Sequence, residues 1–251
     1  MNRWQYVRET AKRADSLWGW VFVFLLIAAS ATWVAFEFLV DDAHESARQT
    51  QCTTNLRQIG SALLSYERAH GRLPPAYLAD TVGNPLLSWR VLLLGYLEGQ
   101  NILDRFDPTQ AWNSPGNATP SDFPFGVYRC PCSEYAPATS YLAVVGPNTA
   151  WPGPKGRKLS EIKNPRKTIL VIEVANSGIN WAEPRDLSID QVAQGINAKN
   201  GLGISSHHSG GANALFADGH VEFLRENLDP KELARMFDVN PPENPTVDER
   251  H

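Results

Sequence analysis

His207 and His208 stand ten residues ahead of Asp218-Gly219-His220. Imidazole and carboxylate groups in one short stretch are the donors that a divalent metal takes. A second acidic set is Glu173, with Glu183 and Asp186 in Trp181-Ala-Glu-Pro-Arg-Asp186. Paired carboxylates hold Ca²⁺ or do acid–base work. Each set also has a structural explanation. Asp-Gly is a turn, a His in a small-residue loop pins backbone, and an acid at a strand end pairs with an Arg such as Arg185. The structural explanation is the expectation for both. No metal or cofactor is therefore expected, with His208, Asp218 and Glu173 as the metal candidates and Ca²⁺ as the candidate ion.

Other chemistries are weaker still. No Gly-rich loop leads into Lys-Ser/Thr, and no Gly-x-Ser-x-Gly elbow occurs. A general base needs a partner and a substrate pocket, and neither is visible, so the reading is a non-enzyme. Trp89, Trp112, Trp151 and Trp181 could stack on a glycan, although such residues more often anchor a core. The three cysteines are Cys52, Cys130 and Cys132. Cys130-Pro131-Cys132 is too tight to bridge comfortably, which leaves Cys52 with either of the other two. A zinc motif fails on spacing, because there is no Cys-x-x-Cys and no nearby His pair.

The elements that must position these residues begin with a membrane signal. Leu17 to Phe36 is a run of 20 residues without a charge, long enough as a helix to cross about 30 Å of hydrocarbon. Trp18, Trp20 and Trp33 suit the interfaces. Arg3, Arg8, Lys12 and Arg13 precede the run; Glu37, Asp41, Asp42 and Glu45 follow it. The positive-inside rule then predicts a cytoplasmic N-terminus and an extracytoplasmic remainder. Ala29-Ser30-Ala31 offers a signal-peptidase site, but the run continues past it and favours a retained anchor. The expected layout is a cytoplasmic segment over 1–16, a transmembrane helix over 17–40, an extracytoplasmic domain over 41–237 and a disordered tail over 238–251.

Beyond the run, Leu56, Ile59, Leu63 and Tyr66 form one apolar stripe that predicts an amphipathic helix ending before Gly71 and Pro74-Pro75. Residues 88–97 predict a short buried helix and 104–138 loops. Strands are expected over 139–145 and 168–174. Asn213–Ala217 and His220–Leu224 predict a hairpin with a two-residue turn at Asp218-Gly219, setting Phe216 opposite Val221 and Ala214 opposite Phe223. Asp229-Pro230-Lys231-Glu232 predicts a capped final helix. The fold class is α+β, a long N-terminal helix packed on an antiparallel sheet. With 23 Lys and Arg against 27 Asp and Glu, net charge −4, no nucleic-acid partner is expected.

Taken in order, these blocks resemble a bacterial pilin-like (pseudopilin-like) family built around a domain of unknown function. The resemblance rests on residues 52–76, 88–102, Trp112–Asn117, Cys130–Glu134, 139–153 and 181–187. It also rests on His208, nine residues, then Asp218-Gly219; no single block decides it, and the order of the blocks carries it. It implies a pilin-like fold, Cys52–Cys130 as the disulfide pair with Cys132 left over, and partners among other pilin-like or envelope proteins. The chain departs from prepilin-like members after Gly19, where no acid stands at the fifth place. It also carries Cys132 where similar chains have Ser. The function expected is a structural or interaction component of an envelope or secretion-like assembly. The alternative is a tethered binding module for a glycan or metal.

Overall fold

The computed structural model describes residues 3–133, 136–198 and 202–242; over the first 42 residues only scattered side chains are described. The chain divides into two units, Met1–Ala47 and Arg48–His251. The first is helical, within α1 (Arg3–His70). Among its described side chains Trp20, Phe24, Trp33, Phe36 and Leu39 are all at least 60% exposed. The expected transmembrane segment, 17–40, lies largely outside the described side chains. Among the described residues no helix is long and apolar enough to cross a membrane.

The second unit is mixed α+β. Its strands are β1 (Tyr77–Ala79), β2 (Pro85–Ser88), β3 (Tyr141–Leu142), β4 (Val144–Val145), β5 (Ile169–Glu173), β6 (Leu187–Ser188), β7 (Gly211–Phe216) and β8 (Val221–Arg225). Short helices α2 (Trp89–Leu92), α3 (Gln100–Leu103), α4 (Ala118–Ser121), α5 (Ile189–Val192) and α6 (Pro230–Arg235) lie between and after them. The main sheet runs β3-β5-β7-β8, antiparallel throughout; β1 pairs with β2, and β4 pairs in parallel with β6.

The stripe on α1 is buried as its spacing requires. Leu56, Ile59 and Leu63 are fully buried, together with Cys52, and they pack with Val171, Leu215 and Tyr141 on one face of the sheet. The opposite face carries Ile169, Ile172, Ala212, Ala214 and Phe216 under Val192, Leu233 and Phe237. Strands β5 and β7 are therefore buried at every position. This is why 168–174 reads as a nearly unbroken apolar run rather than an alternating one. Gly60 marks a close approach of α1 to the sheet: a Cβ there would lie 2.7 Å from Leu215 Cδ1.

Two expectations are corrected. The 139–145 strand is broken at Ala143, whose N–H donates to Asp186 Oδ1 (2.8 Å). That bond diverts the chain, so β3 pairs with β5 and β4 leaves to join β6. The β7–β8 turn has three residues, not two. Gly219 N–H donates to Phe216 O and Phe216 N–H to His220 O (both 2.9 Å), with Gly219 at φ +91°. That is a type I turn closed by a left-handed Gly. The register shifts by one, so Leu215 faces Val221 and Asn213 faces Phe223. Each β7 side chain thereby shares its face with different β8 side chains than expected, and Asn213 points to the α1 side.

Asp229 caps α6, accepting from Lys231 and Glu232 N–H. Val239, expected at the head of the loose tail, is buried and bonded to Asn148 and Lys163 through its backbone. Residues 243–251 lie outside the described residues.

One ion pair ties the connections together. Arg90, at the start of α2, is fully buried and meets Asp186 at 2.7 Å. Its Nε donates to Trp181 O and its Nη2 to Arg185 O. Asp186 also accepts from Trp89 Nε1 and Ala143 N–H. Burial pushes the Asp186 carboxyl up, against the pull of the guanidinium. Asp186→Ala strands a charged, desolvated guanidinium. A loss of about 3–5 kcal/mol is expected in urea or thermal melts, and much less for the paired apolar replacement Arg90→Met with Asp186→Leu.

Candidate functional site

The site is assembled from four separate segments. Cys52 comes from the buried stripe of α1, two turns before Gly60. Cys130 comes from the loop preceding β3, Glu173 from the last position of β5, and His208 from the loop before β7. All four side chains are buried, and one donor atom from each lies within 4.8 Å of the others. The sulfurs of Cys52 and Cys130 are 2.7 Å apart as free thiols. His208 Nε2 stands 3.4 Å from Cys52 Sγ, 3.7 Å from Cys130 Sγ and 4.0 Å from Glu173 Oε1.

The Cys130 loop and the Glu173 carboxylate are held from behind. Asn55, one turn after Cys52 on α1, donates to Arg129 O (3.0 Å) and anchors the loop that carries Cys130. Cys130 N–H donates to Ser140 Oγ, and Ser133 N–H closes a turn on Cys130 O. Glu173 Oε2 accepts two bonds from Asn213, one from the backbone N–H (3.1 Å) and one from Nδ2 (2.9 Å). Thr53 on α1 in turn reaches Asn213 Oδ1 (3.4 Å). Glu173 Oε1 is buried and has no hydrogen-bond partner among the described residues. Tyr141, opposite Glu173 across the β3–β5 ladder, closes one side. Burial first, then the neighbouring cysteine and glutamate, pushes its hydroxyl well up. The Cys130 thiol is also pushed up, by its contact with Cys52 and by burial.

The sequence-based candidates are redistributed. His208 and Glu173 meet; Asp218 does not join them. Asp218 sits in the hairpin turn and bonds His220 through both the backbone N–H and the ring Nδ1. Gly219 O in that turn lies 3.7 Å from a Cβ placed on Gly60, eight residues and roughly 12 Å along α1 from Cys52. Glu183 pairs with Arg185 on the surface (2.7 Å), and Asp186 with Arg90, so the three acids do not converge on an ion. Cys52 and Cys130 are the two cysteines that meet; Cys132 is half-buried. Trp89, Trp151 and Trp181 are buried, and each places its indole N–H on an internal acceptor, which makes them core anchors; Trp112 is half-buried.

Sequence reasoning missed the cysteines as partners of His208, and it missed Arg90 altogether. The available signals were a lone Arg inside an apolar run and Cys52 in phase with the stripe Leu56–Ile59–Leu63. A separate cleft of about 300 Å³ opens near Pro147, Thr149, Ile189 and Arg235. It lies away from the cluster and is mostly apolar.

The family described as "Protein of unknown function (DUF1559)" matches this chain over residues 41–168 and 149–231. No curated protein and no solved structure matches it. The two matched stretches contain Cys52, Cys130, Glu173 and His208, and together they cover most of the second unit. The chain belongs to this family of unknown function.

Proposed function

We propose that this protein is a single-pass, membrane-tethered, pilin-like component of an envelope or secretion-like assembly, with its α+β unit outside the cytoplasm. The observation that carries the reading is the first unit's apolar exposure. Trp20, Phe24, Trp33, Phe36 and Leu39 are large, apolar and at least 60% exposed, within or just beyond a run of 20 uncharged residues. Such a surface needs lipid or partner helices around it. The flanking charge asymmetry supports the stated orientation. The α1 stripe against an antiparallel sheet supports the pilin-like comparison. The unit acts by contact rather than turnover; the Cys52–Cys130–Glu173–His208 group is buried.

Delivery outside the cytoplasm exposes Cys52 and Cys130 to an oxidising environment. Bonding them releases two protons and two electrons to a disulfide-donating oxidant. The bond closes a loop of 78 residues, which on the chain-entropy argument adds roughly 4.5 kcal/mol.

The tether is tested by fractionating cells that express the full chain. The protein should pellet with membranes through an alkaline wash, and external protease should cut it in spheroplasts. Leu25→Arg with Leu26→Arg, each adding about 2.5–3.5 kcal/mol to insertion, should release it. Intact wild-type chain in the high-speed supernatant overturns the reading. Crosslinking in membranes should also recover other envelope subunits; a chain captured only as a monomer removes the assembly role. Peptide mapping without reductant, after thiols are blocked in the intact cell, should yield Cys52 linked to Cys130, with Cys132 alkylated. Recovery of both Cys52 and Cys130 as unlinked peptides excludes the disulfide.

A further inference from the structure

We propose that, with both thiols reduced, Cys52 Sγ, Cys130 Sγ, His208 Nε2 and Glu173 Oε1 form a closed four-ligand site for a zinc-class divalent metal. The inference concerns the reduced chain and does not rest on the membrane reading.

Three observations converge on it. The first is the donor set. Two thiolates, one imidazole and one carboxylate oxygen suit Zn²⁺, which takes four such ligands tetrahedrally in structural sites. Ca²⁺ needs six to eight oxygens and is excluded by the sulfurs. The second is Glu173 Oε1. A buried carboxylate oxygen with no donor costs free energy, and this one faces the imidazole and the sulfurs. A disulfide leaves it unsatisfied, whereas a metal ion is the partner it lacks. The third is Asn213. By holding Oε2 with two N–H groups, it fixes the carboxylate so that Oε1 is the oxygen presented. Outer support of this kind is what orients metal ligands.

The charge balance is favourable. Binding Zn²⁺ sends two thiol protons to solvent, so two positive charges arrive as two leave. The buried site gains no net charge. The geometry asks for one adjustment. Ligand sulfurs about 2.3 Å from one tetrahedral ion sit roughly 3.7 Å apart, so the pair must open from 2.7 Å. Cys130 lies in a loop rather than a strand and can supply that movement. The metal-bound and disulfide states exclude each other, because the disulfide removes two of the four ligands.

The test uses the reduced full chain in detergent, stripped of metal by a chelator under argon and titrated with Co²⁺, then with Zn²⁺ against pyridylazoresorcinol. One equivalent should bind, with the visible bands of tetrahedral Co²⁺ and thiolate charge transfer. Cys130→Ser and Glu173→Gln should each weaken binding more than about 100-fold, and Asn213→Ala by about 10–100-fold. Cys132→Ser should leave it unchanged. Circular dichroism of each variant separates ligand loss from misfolding. The proposal is overturned if the reduced wild type binds no metal, if bound Co²⁺ lacks thiolate charge transfer, or if Glu173→Gln binds as tightly as wild type. Loss of binding in a folded Cys132→Ser assigns the site to the wrong cysteine and overturns it equally.

Discussion

Water is kept from both faces of the β5–β7 strand pair, and the rest of the second unit is built around that constraint. α1 covers one face, and α5 and α6 with their flanking loops cover the other. Any polar atom brought into this layer must find its partner inside the protein, since none is available from solvent. Apolar residues there need only fit. Polar residues there must be matched across long stretches of chain.

Arg90–Asp186 and the Cys52–Cys130–Glu173–His208 group are two answers to that demand. The first is complete: the guanidinium meets a carboxylate and a ring of carbonyls, and the carboxylate meets three N–H donors. Its product is topological, because the Ala143 N–H it captures breaks one strand in two. The second is incomplete. Asn213 satisfies one oxygen of Glu173 and leaves the other facing sulfur and imidazole. An unfinished polar cluster in an otherwise well-matched interior is where chemistry is to be looked for.

The α1 stripe and β5 were legible because their signals are local. The period of Leu56, Ile59 and Leu63 needs no knowledge of the sheet, and the β-branched run at Ile169–Glu173 declares its own burial. The hairpin was legible only in part. Asp-Gly serves a two-residue turn and a three-residue one alike, since both want Gly with positive φ. β7 is buried on both faces, so apolarity could not decide between registers one residue apart. The four cluster residues were named singly or as a cysteine pair, but their meeting was illegible for another reason. Cys52 is separated from Cys130 by 78 positions and from His208 by 156. Motif spacing detects ligands that share one turn or loop, and here no two do. Arg90 was hidden similarly, its partner lying 96 positions away.

The hairpin tip carries a mechanical consequence. Gly219 rests over Gly60, where the helix has no side chain to yield, while Cys52 is engaged about 12 Å lower. The rod is thus keyed to the sheet at two heights, one steric and one chemical. Sliding it by a single turn, about 5.4 Å, would bring Leu63 or Leu56 against Leu215 and the hairpin tip in place of Gly60. The packing therefore favours one height of this part of α1 over the sheet, the one that sets Gly60 beneath the β7–β8 turn.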